Sequence, residues 1–185
     1  ESRTSYAGNG KLAWKDGDKV AVNNKAYDVV SDGSTAYVYV PKASTYTVLY
    51  PFELRDGAKR VVLQPQQLYA EGSFGDKALP MYGSGEASTG VTLRAVCGVL
   101  KLKLTGSASI SSIGITDRAG GALCGFFEYS SGTAPVVSGS DYVSHPSVVL
   151  NCENVGGVKL NASGVDFYIV LPAKTYSSGL KISIS

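Results

Sequence analysis

The strict alternation of apolar and polar residues is the sequence feature that most constrains this fold. In the clearest case, Leu100, Leu102 and Leu104 alternate with Lys101 and Lys103. Successive side chains of a β-strand point to opposite faces, whereas a helix would distribute these lysines around its circumference. The pattern therefore predicts a strand with one buried and one solvated face.

Similar short runs recur along the chain, each bounded by Gly, Asn, Asp or Pro, and no window has a helical period. Many short strands at spacings of roughly ten residues are typical of a β-sandwich or barrel. We therefore predict an all-β protein whose N-terminal third is a meander. The further predicted strands are Leu12–Trp14, Lys19–Val22, Ala26–Val30, Ala36–Val40, Tyr46–Tyr50, Val61–Leu63, Val91–Val96, Ile110–Ile115, Ala122–Tyr129, Val148–Cys152, Val158–Leu160, Asp166–Leu171 and Leu180–Ile184.

The domain organisation follows from length and from two unusual segments. A chain of 185 residues can form one sandwich, so we expect residues 1–185 to be a single domain. Between Leu63 and Thr89 the alternation disappears, which predicts a long connection that is either functional or a crossover between sheets. Because Leu180–Ile184 alternates without a closing turn, we expect further protein to follow in the natural sequence.

The charges and the apolar runs exclude some classes of partner. The 17 basic and 15 acidic residues are interspersed, so neither nucleic acid nor an anionic membrane surface is an expected partner. No run of 18 apolar residues exists, which predicts no transmembrane segment in this chain. The N-terminal residues do not resemble a signal peptide, so in an exported protein the signal has already been removed.

Candidate catalytic and metal-binding residues are few, and each has a simpler interpretation. His145 is the only histidine and precedes Pro146, and no nucleophile motif accompanies it. Asp16 and Asp18 form the closest carboxylate pair, but they flank Gly17, where Asp is favoured by turn chemistry. A calcium loop beginning there would have Val20 in a ligand position. We expect no enzyme, no catalytic residues, no metal and no cofactor.

Three further motifs are weak. The cysteines Cys97, Cys124 and Cys152 lack the close spacing of zinc or redox sites, so we interpret them as buried apolar residues with one optional disulfide. The segment 83–88 (GSGEAS) lacks the third glycine of a dinucleotide fingerprint and is predicted to be a loop. Residues 161–163 (NAS) match an N-glycosylation acceptor, which matters only in a eukaryotic secretory pathway.

The abundance of aromatic residues leaves a glycan-binding role open. Aromatic side chains can stack on sugars or anchor a partner, but they are also enriched in strands for packing. Alternation assigns about half of them, Trp14 included, to a core face. The candidates for such a platform are Trp14, Tyr37, Tyr39, Tyr46, Tyr50, Tyr69 and Tyr82.

The order of several segments resembles the fimbrillin-like family of surface pilins and pilin-like lipoproteins from Bacteroides-type bacteria. Most of these segments are strand-and-turn motifs, and together they extend over nearly the whole chain. They are Arg3–Ser5, Lys11–Val22 (KLAWKDGDKVAV), Thr47–Phe52 (TVLYPF), Val62–Gln67 (VLQPQQ), Leu79–Tyr82, Leu93–Gly106 (LRAVCGVLKLKLTG), Ser112–Ile115 and Phe167–Leu180 (FYIVLPAKTYSSGL).

This resemblance implies a Greek-key, transthyretin-like β-sandwich that forms the N-terminal of two domains. It also implies a non-catalytic structural or adhesive role as a fimbrial subunit or pilin-like accessory component. The family resemblance further implies a cell-surface location at the outer membrane, through a lipid anchor upstream of Glu1, or within a fimbrium. The implied partners are other fimbrial subunits or host and surface proteins, joined by strand addition at an open sheet edge. The alternative is a carbohydrate-binding sandwich that recognises glycans at the cell surface.

Overall fold

The computed structural model describes residues 5–6, 12–14, 16–32, 35–57, 60–128, 136–137 and 144–185. These residues form β-strands, turns and two short 3₁₀ helices, Phe52–Leu54 and Glu153–Val155, and none of them lies in an α-helix. The described chain is therefore all-β, as the alternation predicts.

Twenty-one strands are present in the described residues, and most of them are short. In chain order they are β1 (Ser5–Tyr6), β2 (Leu12–Ala13), β3 (Lys19–Val22), β4 (Lys25–Asp28), β5 (Val30–Asp32), β6 (Thr35–Tyr37), β7 (Tyr46–Tyr50), β8 (Arg55–Asp56), β9 (Arg60–Leu63), β10 (Gln66–Leu68), β11 (Met81–Gly85), β12 (Arg94–Ala95), β13 (Cys97–Leu104), β14 (Ser109–Ile110), β15 (Ser112–Asp117), β16 (Gly125–Glu128), β17 (Val136–Val137), β18 (Ser147–Asn151), β19 (Val158–Lys159), β20 (Val165–Pro172) and β21 (Leu180–Ile184).

The strands form several predominantly antiparallel sheets. The largest has the order β12-β11-β7-β3-β4, and two four-stranded sheets have the orders β17-β16-β9-β8 and β10-β18-β15-β21. Strands β13 and β20 pair along eight residues, and the remaining pairs are β1-β2, β5-β6 and β14-β19. The pairing of β10 with β18 is parallel. Sheets packed on shared apolar layers give the fold a sandwich-like character.

Three apolar cores lie between these sheets, and each is named here by its buried members. The N-terminal core contains Val20, Val22, Val29, Tyr46, Val48, Tyr50 and Met81. The central core contains Ala21, Leu49, Val61, Leu63, Phe74, Leu79, Val96, Cys97, Cys124, Phe127, Tyr168 and Val170. The C-terminal core contains Tyr69, Ile110, Ile113, Ile115, Leu123, Val148, Leu150, Cys152, Val158, Leu160, Phe167, Ile169 and Leu171.

Strand β20 separates two of these cores, which explains its unbroken apolar sequence. Phe167 and Ile169 pack into the C-terminal core, whereas Tyr168 and Val170 pack into the central core. All four side chains are buried because each face of the strand is covered by another layer. A strand covered on both faces needs no polar side, in contrast to β13 beside it.

Strand β13 confirms the alternation that the sequence predicts. Leu100, Leu102 and Leu104 pack against the C-terminal core, while Lys101 and Lys103 are exposed on the other face. Strand β15 has the same arrangement, with Ile113 and Ile115 buried and the residues between them more accessible.

The segment from Leu63 to Thr89 passes between sheets, as one of its predicted alternatives requires, but it also contains the unpredicted strands β10 and β11. Strand β10 cannot be predicted from hydropathy because its buried residue is the polar Gln67. Strand β11 contains Gly83 and Gly85, at which any Cβ atom would overlap the neighbouring main chain. Residues 83–85 therefore lie in a strand and not in the predicted loop.

Several predicted boundaries also change. The N-terminal third is not a simple meander, since β7 pairs with β3 and β11 while β5 and β6 form a separate pair. The predicted strand Val91–Val96 is reduced to Arg94–Ala95, and Ile110–Ile115 is divided between β14 and β15. Parts of the predicted strands, such as Tyr129, and residues such as Arg3 and Lys11 in the resembling segments lie outside the described residues.

Candidate interaction surface

The residues that the sequence singles out as possible catalytic groups take part in turns, β-bridges and core hydrogen bonds. His145 is exposed, and its main chain forms a β-bridge with Cys124. Asp16 is exposed in its turn, where its Oδ1 accepts a hydrogen bond from the N–H of Ser31 at 3.2 Å. Asp18 is buried and accepts a 3.0 Å hydrogen bond from the Tyr50 hydroxyl. The two carboxyl groups therefore occupy different environments.

The remaining sequence motifs also form turns or packing contacts. In the segment 161–163, the Asn161 side-chain oxygen accepts hydrogen bonds from the Ser163 hydroxyl at 2.7 Å and from the Gly164 N–H at 2.9 Å. All three cysteines are buried and free, so the optional disulfide is not formed. Burial raises the pKa of each thiol, and that of Cys97 reaches about 12.

The aromatic candidates do not assemble into one platform. Tyr46, Tyr50 and Tyr69 are buried, and Tyr82 is half-buried against the central core. Trp14 is half-buried and meets the Tyr50 ring edge-on, with centroids 5.2 Å apart, as its predicted core position requires. The exposed members are Tyr37 at 57% and Tyr39 at 86%.

One accessible apolar strand edge in the described chain belongs to β21. This strand pairs with β15 on one side, and no described strand pairs with it on the other. Ile182 and Ile184 stand opposite Ile115 and Ile113, so they point towards the C-terminal core. They are nevertheless 44% and 48% exposed.

The hydrogen-bond register determines which main-chain groups of β21 face outwards. Ser185 exchanges hydrogen bonds with Ser112, and the Arg118 N–H donates to the Gly179 carbonyl. Bonded and non-bonded pairs alternate along an antiparallel ladder. The N–H and C=O groups of Ile182 and Ile184 therefore point away from β15, beside their exposed apolar side chains.

The edge of β20 that does not pair with β13 is hydrogen-bonded by a side chain. Gln67 is buried, and its Nε2 donates to the Val170 carbonyl at 2.8 Å while its Oε1 accepts from the Val170 N–H at 2.9 Å. Both bonds lie on the edge of β20 that faces away from β13. The amide of Gln67 thus takes the place of a neighbouring strand.

Near one end of β21, a buried carboxylate joins two loops. Asp117 ends β15 and stands opposite Leu180. Its Oδ2 accepts from Lys174 Nζ at 2.8 Å, and its Oδ1 accepts from the Ala119 N–H at 2.9 Å. The hydrogen bond from Lys174 lowers the pKa of Asp117 against the opposing effect of burial, and bonds from main-chain amides add to the lowering.

Neither a metal site nor a membrane-spanning helix is found within the described residues. No group of three or more His, Cys, Asp or Glu side chains there could hold a metal ion. In the same part of the chain, no helix has the length and apolar character needed to cross a membrane.

No protein-family model, curated protein sequence or solved structure matches this chain.

Proposed function

We propose that this chain is a non-catalytic structural or adhesive subunit of the fimbrial type, which joins its partners by strand addition at the edge of β21. The observation that carries the proposal is the exposure of Ile182 and Ile184 on the core-facing side of an edge strand. An added strand would pair with the outward main-chain groups and cover both side chains.

The physical basis is that an open edge with apolar side chains is a liability unless it is used. Proteins usually protect sheet edges with charged residues, prolines, bulges or covering loops. In β21 the core-facing positions after Leu180 carry isoleucine, and the opposite face carries Lys181 and Ser183. Strand addition supplies affinity through the main chain and selectivity through alternate side chains.

Other edges are less suitable acceptors. The core-facing leucines of β13 are partly buried, and its Lys101 forms an ion pair with Asp166 at 2.9 Å. Edge strand β4 carries the exposed charged residues Lys25 and Asp28, and Asp28 pairs with Lys19 at 3.6 Å. The edge of β20 is occupied by Gln67. These features favour β21.

The surface location and the finer topology belong to the same proposal. The resemblance of segments such as 93–106 and 167–180 to fimbrillin-like proteins supports display at the outer membrane or in a fimbrium. It also supports a Greek-key, transthyretin-like arrangement of the layers around the C-terminal core. The proposed partners are other subunits, including further copies of this chain, or host and surface proteins.

The test compares self-association of the 185-residue chain with that of two variants. In Ile182→Lys/Ile184→Lys, charges stand on the core-facing side of β21, where they would oppose a docking strand. In the matched control Ser183→Lys, one charge stands on the other face of the same strand. Sedimentation velocity at increasing protein concentration reports association of each.

We expect the wild type and Ser183→Lys to associate and the double variant to remain monomeric with an unchanged unfolding free energy. The contacts expected from a five-residue edge are small, so the association should be weak and concentration-dependent. Equal association of all three proteins, or a monomeric wild type at every concentration, would contradict self-assembly through β21.

A second candidate function, glycan binding, is favoured by the exposure of Tyr37 and Tyr39. The two tyrosines are separated by one residue, and Tyr37 stands opposite the exposed Val30 in the β5-β6 pair. Exposed aromatic rings suit stacking on sugar faces, and their hydroxyl groups can bond to polar substituents.

A glycan array tests this candidate. If it is correct, the wild type binds a glycan and Tyr37→Ala/Tyr39→Ala loses that binding without loss of stability. Val30→Ala serves as a neighbouring control that leaves both rings in place. Absence of binding to every glycan, or binding that the double variant retains, would reject it.

A further inference from the structure

We propose that Asp117 and Lys174 form a latch that holds β21 in its sheet, so that breaking this pair lets β21 open as a separate unit. The inference goes beyond the proposed function, because it concerns how the strand is held whatever binds to it. It rests on the weak packing of β21 and on the contacts by which the Asp117 carboxylate joins the β20-β21 connection to the loop after β15.

Apart from this pair, strand β21 has few contacts that hold it in the sheet. It pairs only with β15 among the described strands, and its residues 181–184 are all exposed. Leu180 is its one side chain that packs against the C-terminal core. Segments with few buried apolar contacts and solvent-exposed hydrogen bonds open locally at low free-energy cost.

The pair stands where β21 begins. Lys174 lies in the connection between β20 and β21, and its ammonium group also lies 5.1 Å from the centre of the Tyr176 ring. Its Nζ contacts the Ala122 carbonyl at 3.4 Å. Asp117 is buried, with only 5% of its surface exposed, and Lys174 is partly covered. The pair thereby ties the β20-β21 connection to the loop that follows β15.

Gly121 provides a way to break the latch without altering either charge. A Cβ atom at this position would lie 2.5 Å from Lys174 Nζ and 2.7 Å from Asp117 Oδ2. The long lysine side chain can move away more easily than the main chain can. Gly121→Ala should therefore displace the ammonium group of Lys174. Asp117→Asn and Lys174→Gln weaken the same contact in a different way, by removing one of its charges.

Amide hydrogen exchange, resolved by residue, tests the latch on the 185-residue chain. The informative amides are those of Lys181 and Ser183, which the register places in hydrogen bonds to β15. The reference amides are those of Val148 and Leu150 in the buried strand β18. The control variant Lys101→Gln removes a more exposed ion pair of similar length, 2.9 Å, between Lys101 on β13 and Asp166 on β20.

We expect each of the three latch variants to accelerate exchange at Lys181 and Ser183 by at least about tenfold, the effect of losing a hydrogen bond to a charged group. In all variants and in wild type, exchange at Lys181 and Ser183 should be faster than in β18 and nearly independent of low urea concentrations, because a separate opening exposes little surface. Lys101→Gln should leave β21 unaffected. Unchanged exchange at Lys181 and Ser183 in the three latch variants would show that the pair does not hold β21. Exchange there that increases with urea as steeply as in β18 would show that β21 opens only with the whole fold, and either result would overturn the proposal.

Discussion

The side-chain amide of Gln67 bonds to both main-chain polar groups of Val170, donating from Nε2 at 2.8 Å and accepting at Oε1 at 2.9 Å. These contacts link β10 to the strand that separates two cores. They satisfy a strand edge that would otherwise place an unpaired N–H and C=O in an apolar interior. The outer edge of β20 is thereby hydrogen-bonded at Val170, whereas none of the described strands pairs with the outer edge of β21.

Removal of this amide should be costly. Gln67→Ala leaves the N–H and C=O of Val170 without partners, so we expect a loss of about 2 to 4 kcal/mol in the free energy of unfolding. The exposed neighbour provides the control, because Gln66→Ala should change stability by less than about 0.5 kcal/mol. Urea unfolding of both variants gives the comparison, and similar values for the two would contradict the role of Gln67.

The buried contact between Asp18 and Tyr50 should also contribute to stability. Tyr50→Phe removes the hydroxyl that donates to Asp18 at 3.0 Å, while the packing against Trp14 is retained. We expect a loss of about 1 to 3 kcal/mol, the cost of leaving a buried acceptor without this donor. The exposed Tyr37→Phe should be neutral in the same unfolding experiment, and a neutral Tyr50→Phe would refute the assignment.

The lowered pKa of Asp117 predicts a particular loss of stability in acid. Because the folded-state pKa lies below the usual 3.8, ionised Asp117 stabilises the fold at pH values above that figure. This contribution is lost as the pH falls through the lower, folded-state pKa. We expect wild type to exceed Asp117→Asn by about 1 to 3 kcal/mol at pH 6, with the difference decreasing below pH 4.

Chemical unfolding from pH 6 to pH 2 measures that difference directly. Lys101→Gln, which removes a more exposed pair, should differ little from wild type across the range. A difference between wild type and Asp117→Asn that stays constant down to pH 2 would contradict the pKa assignment.

The three cysteines should be unreactive in the folded protein. All are buried, and burial raises the pKa of each thiol, so little thiolate exists at neutral pH. We expect a thiol reagent to label fewer than one cysteine per chain under native conditions and all three in denaturant. Rapid native labelling would indicate that a thiol is accessible.

The strands with regular alternation were predictable because burial of one face leaves a period-two pattern. Strand β21 was predicted with its observed bounds, and β13 was predicted with its correct buried face. Strand β10 was missed because its polar residue is buried and its apolar residue is exposed. Gln67 is buried while Leu68 is 48% exposed, and the partner that explains this reversal, Val170, is distant in sequence.

The candidate surface was predictable only in general terms. The resemblance suggests an open edge, but an alternating pattern does not tell whether a strand is central or peripheral. That distinction depends on which strands become neighbours, and it separates the buried Ile113 and Ile115 from the exposed Ile182 and Ile184. The Asp117-Lys174 contact likewise depends on a tertiary fold that brings separate loops together.

The most direct test of the central claim is the exchange rate of the Ile182 and Ile184 amides before and after association. In the unassociated chain these two N–H groups point into solvent, whereas those of Lys181 and Ser183 already bond to β15. Strand addition predicts strong new protection at Ile182 and Ile184 in the associated state. If these amides exchange at the same rate in both states, partners do not join through β21.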